Sequence, residues 1–409
     1  MHEEYYDKLA DLLLFAVGFR GGDKIALTAD SYYRGLAKRL AERAYLGGAC
    51  YVDLEYSDEF LQAAAIAGSE QEFSFPEYLQ RKYEEITQPG WKLISIRANS
   101  EGDVFGALPV DRSTAFLQAH RHIRRVRTKA VMTHKIPWTL TYLPSPSMAN
   151  LAFPGLSEEA GMERYWDAIV KIMYLDDADP RERWRAKQLA DEKRSSYMNE
   201  LKAEALRFNG PGTELTVGLN SRAQWIGGFD LSLTGERFMA NIPTEEIFTS
   251  PDFRRVDGRV RLTRPFRMHQ NLGPIPLNAW FEFREGRVVD FGAEVGRETL
   301  AAFFESDPRA VYLGEIALVD PSSPIAATGI TYFNGLHDEN TSCHLAFGRA
   351  YPSTLIDRRD YSDEELLAAG MNAATVHEDS MIGGPEVDVT AILSNGGEHP
   401  IIRDGHYLI

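Results

Sequence analysis

Residues 24–58, KIALTADSYYRGLAKRLAERAYLGGACYVDLEYSD, decide the fold class. KIALTAD (24–30) is a short apolar run of the buried-strand kind, Tyr32 to Leu46 repeat apolar positions at helical spacing, and YVDLEYSD (51–58) is strand-like again. Strand, helix and strand in direct succession imply parallel neighbours covered by the helix that joins them. The alternation extends outward on both sides. YYDKLADLLLFAVG (5–18) reads as a helix, KLISIRAN (92–99) and WTLTYL (138–143) as strands, and a long helix runs from Ser113. A parallel sheet can bind a nucleotide where its strand order reverses, yet the turn after the first strand reads DSYYRG and holds no G-x-G-x-x-G. No G-x-x-x-x-G-K-[ST] occurs either. This half is expected to be a scaffold or a domain for substrate access.

Downstream the character changes twice. From Leu156 to Leu206 the chain is charged and helical, broken once at Pro180, and reads as a pair of helices bridging two halves. Beyond NGPGTELTVGL come short alternating segments: RVRLTRPF (259–266), WFEFREGRVVDFGAEVG (280–296) and EVDVTAILSNGGEHPIIRDGHYLI (386–409). REG and SNGG stand where hairpin turns belong, so antiparallel strands are predicted here. The expected architecture is an α/β N-terminal domain with a largely parallel sheet (1–155), a helical connection (156–206) and an α+β C-terminal domain rich in antiparallel strands (207–409). With 409 residues, 44% of them hydrophobic, there is material for two cores.

Composition excludes several roles. Sixty acidic side chains against 44 basic give a net charge of -16, which disfavours a nucleic acid as partner. Cys50 and Cys343 have no disulfide framework to join, which suits a reducing compartment. The acidic start and the short apolar run LLLFAV do not fit a secretory signal, and no apolar stretch reaches the length of a membrane span. A cytoplasmic protein is expected.

Familiar catalytic motifs are missing. HEDSM (377–381) opens like H-E-x-x-H, but Met381 holds the second histidine's place, and there is no G-x-S-x-G elbow. HRHIRRVRTK (120–129) is locally basic: it could hold phosphate, or be the solvated face of a helix. What remains is a set of histidines and carboxylates at strand ends. His377 and Asp379, two apart, leave one face together if their segment is extended. Glu315 sits inside the apolar run YLGEIALVD, where burial requires a salt bridge or a metal. Glu245 and Glu246 in NIPTEEIF suit either a metal or the first turn of a helix. In HDENTSCHLAFGRAY (337–351) we read polar caps followed by a helix, with His344 and Tyr351 on one face, Glu339 near the cap, and His337 and Asp338 solvated. Each residue has a structural explanation of its own. Together they form an oxygen-rich set with imidazole donors, of the type that suits two divalent ions sharing a carboxylate.

These motifs carry a resemblance. FPGL (153–156), GPGTELTVGL (210–219), NIPTEEIF (241–248), LGEIALVD (313–320), HDENTSCHLAFGRAY and HEDSMIGG (377–384) resemble, in order, the aminopeptidase T, aminopeptidase S and PepS metallopeptidases. The resemblance implies a metal-dependent aminopeptidase with two divalent ions per chain (zinc, cobalt or manganese), a peptide substrate with a free N-terminus, and a homodimer. Carried over residue by residue, it makes Glu246, Glu315, Glu339, His344, His377 and Asp379 the metal set, and Glu315, Tyr351 and Glu339 the catalytic residues, Glu339 being a ligand or a proton carrier. One departure stands out: Glu378 replaces the residue that makes HVDxMIG or HVDWMIG in the family. It is expected to face away from the site. Two rivals are set against this reading. His344, His377 and Asp379 alone would make the facial triad of a mononuclear non-haem iron ring-cleaving dioxygenase, a class built on a similar fold. A metal-free binding module would use the same acids as ion pairs and caps.

Overall fold

The computed structural model describes residues 2–68, 72–100, 108–266 and 274–409. The chain forms two compact units, one of residues 1–186 with 229–243 and the other of residues 187–228 with 244–409.

In the first unit the opening stretch folds as its pattern dictates. Strands β1 (Lys24–Asp30), β2 (Tyr51–Ser57), β3 (Trp91–Arg97) and β4 (Trp138–Tyr142) make a four-stranded sheet in the order β2-β1-β3-β4, and every pairing is parallel. Helix α1 (Tyr6–Ala16) buries Leu9, Leu12 and Leu13, while α2 (Arg34–Leu46) buries Leu36, Ala37, Leu40 and Ala44, the stripe expected of a period of 3.6 residues. Strand order fixes what this sheet can do. From β1 the chain first places β2 on one side and then β3 on the other, so the crossovers diverge between β1 and β3 and leave a crevice at their C-terminal ends.

The second unit is built of two antiparallel sheets. Eight strands run in the order Arg287–Gly292, Trp280–Arg284, Pro251–Arg261, Thr213–Leu219, Ala203–Gly210, Asp388–Leu393, Glu398–Arg403 and His406–Tyr407. The REG turn forms as read: Glu285 and Gly286 take φ of 48° and 81°, the two left-handed residues of a tight hairpin. Five strands make the other sheet, in the order His377–Met381, His344–Gly348, Leu313–Val319, Glu246–Thr249 and Ile226–Gly227. One face of this five-stranded sheet contributes Ile247, Ile316, Leu318, Leu345 and Phe347 to the same core as Phe208, Val217 and Phe281 of the larger sheet. Alternation then assigns the other face to Glu246, Glu315, His344, His377 and Asp379. The expected α/β unit with a parallel sheet and the antiparallel-rich α+β unit are both what forms.

One element differs from its reading. CHLAFGRAY is not a helix: His344–Gly348 is a strand in which all five residues are buried. A strand covered on both sides has no exposed polar face, so short apolar runs of this kind do not distinguish strand from helix. The helix lies just before it, a single turn at Gly335–Glu339, capped by Asn334, whose side chain accepts from the His337 amide. His337 and Asp338 are 0% and 3% exposed, not solvated, because this turn is enclosed by its neighbours.

Candidate metal centre

Register brings the site together. Glu315 stands opposite Ala346, which stands opposite Asp379; in the next row Ala317 faces His344; and Gly348 faces His377. The two alanines, each 0% exposed, are small enough to leave space between the acids and imidazoles around them. Gly314 is needed for the same arrangement. A Cβ there would lie 2.4 Å from the carbonyl oxygens of Gly348 and Arg349, so only glycine lets the two strands approach at the irregularity beside Glu315. That approach has a second effect. Arg349 O lies 2.7 Å from His377 Nδ1, and Ser342 O lies 3.2 Å from His344 Nδ1. A carbonyl oxygen can only accept, so each imidazole donates Nδ1–H to the backbone and turns Nε2 inward.

What Nε2 meets in each case is a carboxylate. His344 Nε2 is 3.1 Å from Glu246 Oε2, and His377 Nε2 is 3.2 Å from Glu315 Oε2 and 3.5 Å from Asp379 Oδ1. Glu246, Glu315 and His344 form one group whose ligand atoms all lie within 4.8 Å of each other, and Glu315, His377 and Asp379 form a second. Glu315, 4% exposed, belongs to both. Glu246 begins a strand and not the first turn of a helix, while its neighbour Glu245 is committed to an ion pair with Lys187 at 2.6 Å. Imidazoles fixed by backbone acceptors, with their free nitrogens among buried carboxylates, fit a divalent cation at each group.

Glu339 and Tyr351 flank these groups without being members of either. Glu339 ends the short helix, and Asn340 beside it donates to Glu339 Oε1 (3.3 Å) and accepts from the Glu245 amide (2.5 Å). Asn340 thereby ties the loop that holds Glu339 to the strand that begins at Glu246, a positioning role that only the polar run DENTS hinted at in sequence. Burial, the charges of Asp379, Glu246 and Glu315, and a hydrogen bond to Asp379 hold the Glu339 carboxyl well above its ordinary value. Tyr351 is placed by the loop after the strand and not by a helical face. Its ring lies 4.8 Å from that of His377, edge to face. Burial and the surrounding carboxylates push the phenol far up, so it remains a donor. Glu378 is on the opposite face, as expected, and is 4% exposed.

Protons and cations compete for this site. Burial alone would lower His344, but the hydrogen bond and charge of Glu246, with Asp379 and Glu315, push it up to about 9; Asp379 and Glu315 likewise raise His377. A raised pKa gives stability that is whole below the unfolded value near 6.5 and is lost as pH climbs through the folded value. His337, which burial pushes down to about 3, acts in the opposite sense but only below 6.5. Metal-free protein is therefore expected to melt at progressively lower temperature from pH 6.5 to 9, while divalent-metal binding strengthens over the same interval. Thermal scans of both forms across that range check this, and a melting temperature of the metal-free form that rises with pH would contradict it.

Two ion-sized groups of carboxylates and imidazoles are a donor set that suits a metal-dependent enzyme. The family described as thermophilic metalloprotease (M29) matches residues 2–407. Aminopeptidase T of Thermus aquaticus is 34% identical over 409 residues, covering 99% of each chain. The solved structure of wild-type AmpT from Thermus thermophilus superposes with a TM-score of 0.90 at 30% identity, over 100% of both chains. The chain belongs to the M29 metalloprotease family, and as an enzyme it is a metallo-aminopeptidase. A 2,5-dihydroxypyridine dioxygenase from Pseudomonas putida KT2440 shares the fold at 9% identity and a TM-score of 0.52, over 100% of this chain and 98% of its own. Among the described residues no helix is long and apolar enough to cross a membrane.

Proposed function

We propose that this chain removes N-terminal amino acids from peptides at a two-ion centre held by Glu246, Glu315 and His344 on one side and by Glu315, His377 and Asp379 on the other. The observation that carries the reading is that Glu315 belongs to both ligand sets. When bound, two divalent ions supply an acidified water as nucleophile and polarise the scissile carbonyl. The chain's own groups do the rest. Glu339, outside both sets, would act from its carboxylate form: it accepts a proton from the attacking water, becoming the carboxylic acid that its buried, acid-lined surroundings favour, and then donates that proton to the leaving amine. Tyr351, kept protonated, donates to the oxygen on which charge develops. His344 and His377 would give up their Nε2 protons to ligate, while the Nδ1 bonds to Ser342 O and Arg349 O hold each ring with Nε2 turned inward. Zinc, cobalt and manganese all suit this mixture of carboxylates and imidazoles.

The iron-dioxygenase alternative uses three ligands and leaves Glu246 and Glu315 without a part, whereas here both stand in an ion-sized group. A homodimer in the reducing cytoplasm completes the reading, in keeping with two cysteines that are both free. Metal-stripped protein reconstituted separately with zinc, cobalt or manganese should hydrolyse aminoacyl anilides and leave their N-acetylated counterparts intact. Equal activity on blocked substrates excludes an aminopeptidase. About one iron per chain with oxygen uptake and no anilide hydrolysis establishes the alternative.

A further inference from the structure

The crevice between β1 and β3 gathers a second cluster of charged side chains, in the unit that the catalytic reading leaves without a role. It holds a cavity of about 210 Å³ at the C-terminal ends of the two strands, lined by Asp30 from β1, Arg97 and Asn99 from the end of β3, and His120, Arg124 and Arg127 from the helix Val110–Met132. Sequence left the basic run 120–129 open between a phosphate site and a solvated helix face. Spacing and the fold divide it: positions 120, 124 and 127 share one helical face and turn into the cavity, while Arg121, His122 and Arg125 are exposed.

Three guanidiniums therefore converge from two elements on one partly open cavity. Arg97 Nη1 is 3.3 Å from Tyr142 Oη, and Arg127 Nη2 is 3.1 Å from Ser95 Oγ; among the described residues none of Arg97, Arg124 and Arg127 forms an ion pair with a carboxylate. Among the described residues, Asp30 and Glu59 are the carboxylates that line the cavity with the three arginines. Asp30 is already engaged, accepting from the Tyr32 amide (2.9 Å) and Ser100 Oγ (2.8 Å). Burial and the charges of Arg124 and Arg97 bring Arg127 down to about 10, and burial with Arg124 brings His120 down to about 4, while Tyr142 and Glu59 raise Arg97. Asn99 adds a side-chain amide from a left-handed backbone (φ 47°), a conformation that asparagine tolerates better than most residues and that recurs at binding sites. Arginine forks facing a small, partly open space match the oxygens of a tetrahedral dianion. The location, outside the carboxyl ends of parallel strands where the crossovers diverge, is where open α/β sheets bind ligands.

We propose that the first unit binds a phosphate group, free or as a small monoester, between Arg97, Arg124 and Arg127. The test uses the metal-loaded enzyme, titrated calorimetrically with inorganic phosphate, glycerol 3-phosphate and ribose 5-phosphate, with potassium chloride at matched ionic strength as control. Saturable binding of about one equivalent is expected, tighter for an ester if the organic part is also recognised and equal for free phosphate if it is not. Arg97→Gln combined with Arg124→Gln should weaken binding at least tenfold while metal content and peptidase activity stay unchanged, and Arg121→Gln, on the exposed face, should leave binding as it is. If the double variant does not fold, Arg97→Lys, which keeps the charge and loses the fork, should still weaken it. Binding no stronger than the chloride control overturns the proposal. So does binding that survives the arginine substitutions and disappears in Glu315→Gln, which would place the anion at the metal centre.

Discussion

If the proposed two-ion centre holds, a Glu315→Gln variant should lose its bound metal and at least about 10³-fold in kcat/KM, while its metal-free form melts no lower than metal-free wild type at pH 8. The first half follows from membership. Among the described residues Glu315 is the carboxylate in both candidate groups, so in the proposed centre an amide of the same shape would remove an anionic ligand from two ions at once, and metal catalysis contributes several kcal/mol of transition-state stabilisation. The second half follows from its surroundings. Burial raises the Glu315 carboxyl, His377 opposes this, and Asp379 and Glu246 reinforce it, so above neutral pH the metal-free fold holds an unwelcome charge there. Glutamine relieves that repulsion. If Glu315 were only half of an ion pair with His377, its removal would destabilise the protein and leave its metal content untouched. Metal analysis and thermal scans on one preparation separate the two cases.

The second large effect is expected at Glu339, with the opposite pattern. Glu339→Gln should retain its metal, because Glu339 lies outside both groups, and should lose about 10²- to 10⁴-fold in kcat with little change in KM, the range spanned by general acid–base catalysis. The amide still accepts from Asn340 at the same position, so the loop is expected to keep its place. A variant that loses metal in proportion to its activity would make Glu339 a ligand. One with unchanged kcat would remove it from the mechanism.

Sequence made much of this legible, and the reasons differ from residue to residue. Glu315 could be read because a glutamate inside IALV demands a partner whatever the fold. His377 and Asp379 could be read because period two needs only an extended backbone. Pairing His344 with Tyr351 rests on the expectation of a helix, in which a separation of seven puts both on one face; the segment is a strand, and the tyrosine arrives by way of a loop. The supporting groups were beyond pattern reading. Ala317 and Ala346 matter for what they leave open, and Ser342 and Arg349 matter through backbone oxygens, so their side-chain identities say nothing about the role. The buried turn at His337 and Asp338 could not be inferred from composition, since polar runs of that kind are usually on the surface.

The five-stranded sheet carries one more implication. Its strands alternate residue by residue between ionic groups and the core, so a strand displaced by a single position would exchange Leu345 and Phe347 for His344 and Ala346. Such a molecule could keep its hydrogen-bonded ladder and look folded by circular dichroism, yet it would have nowhere to hold an ion. Stoichiometric metal uptake therefore audits strand alignment, and in any batch of refolded protein the fraction that captures metal counts the molecules threaded correctly.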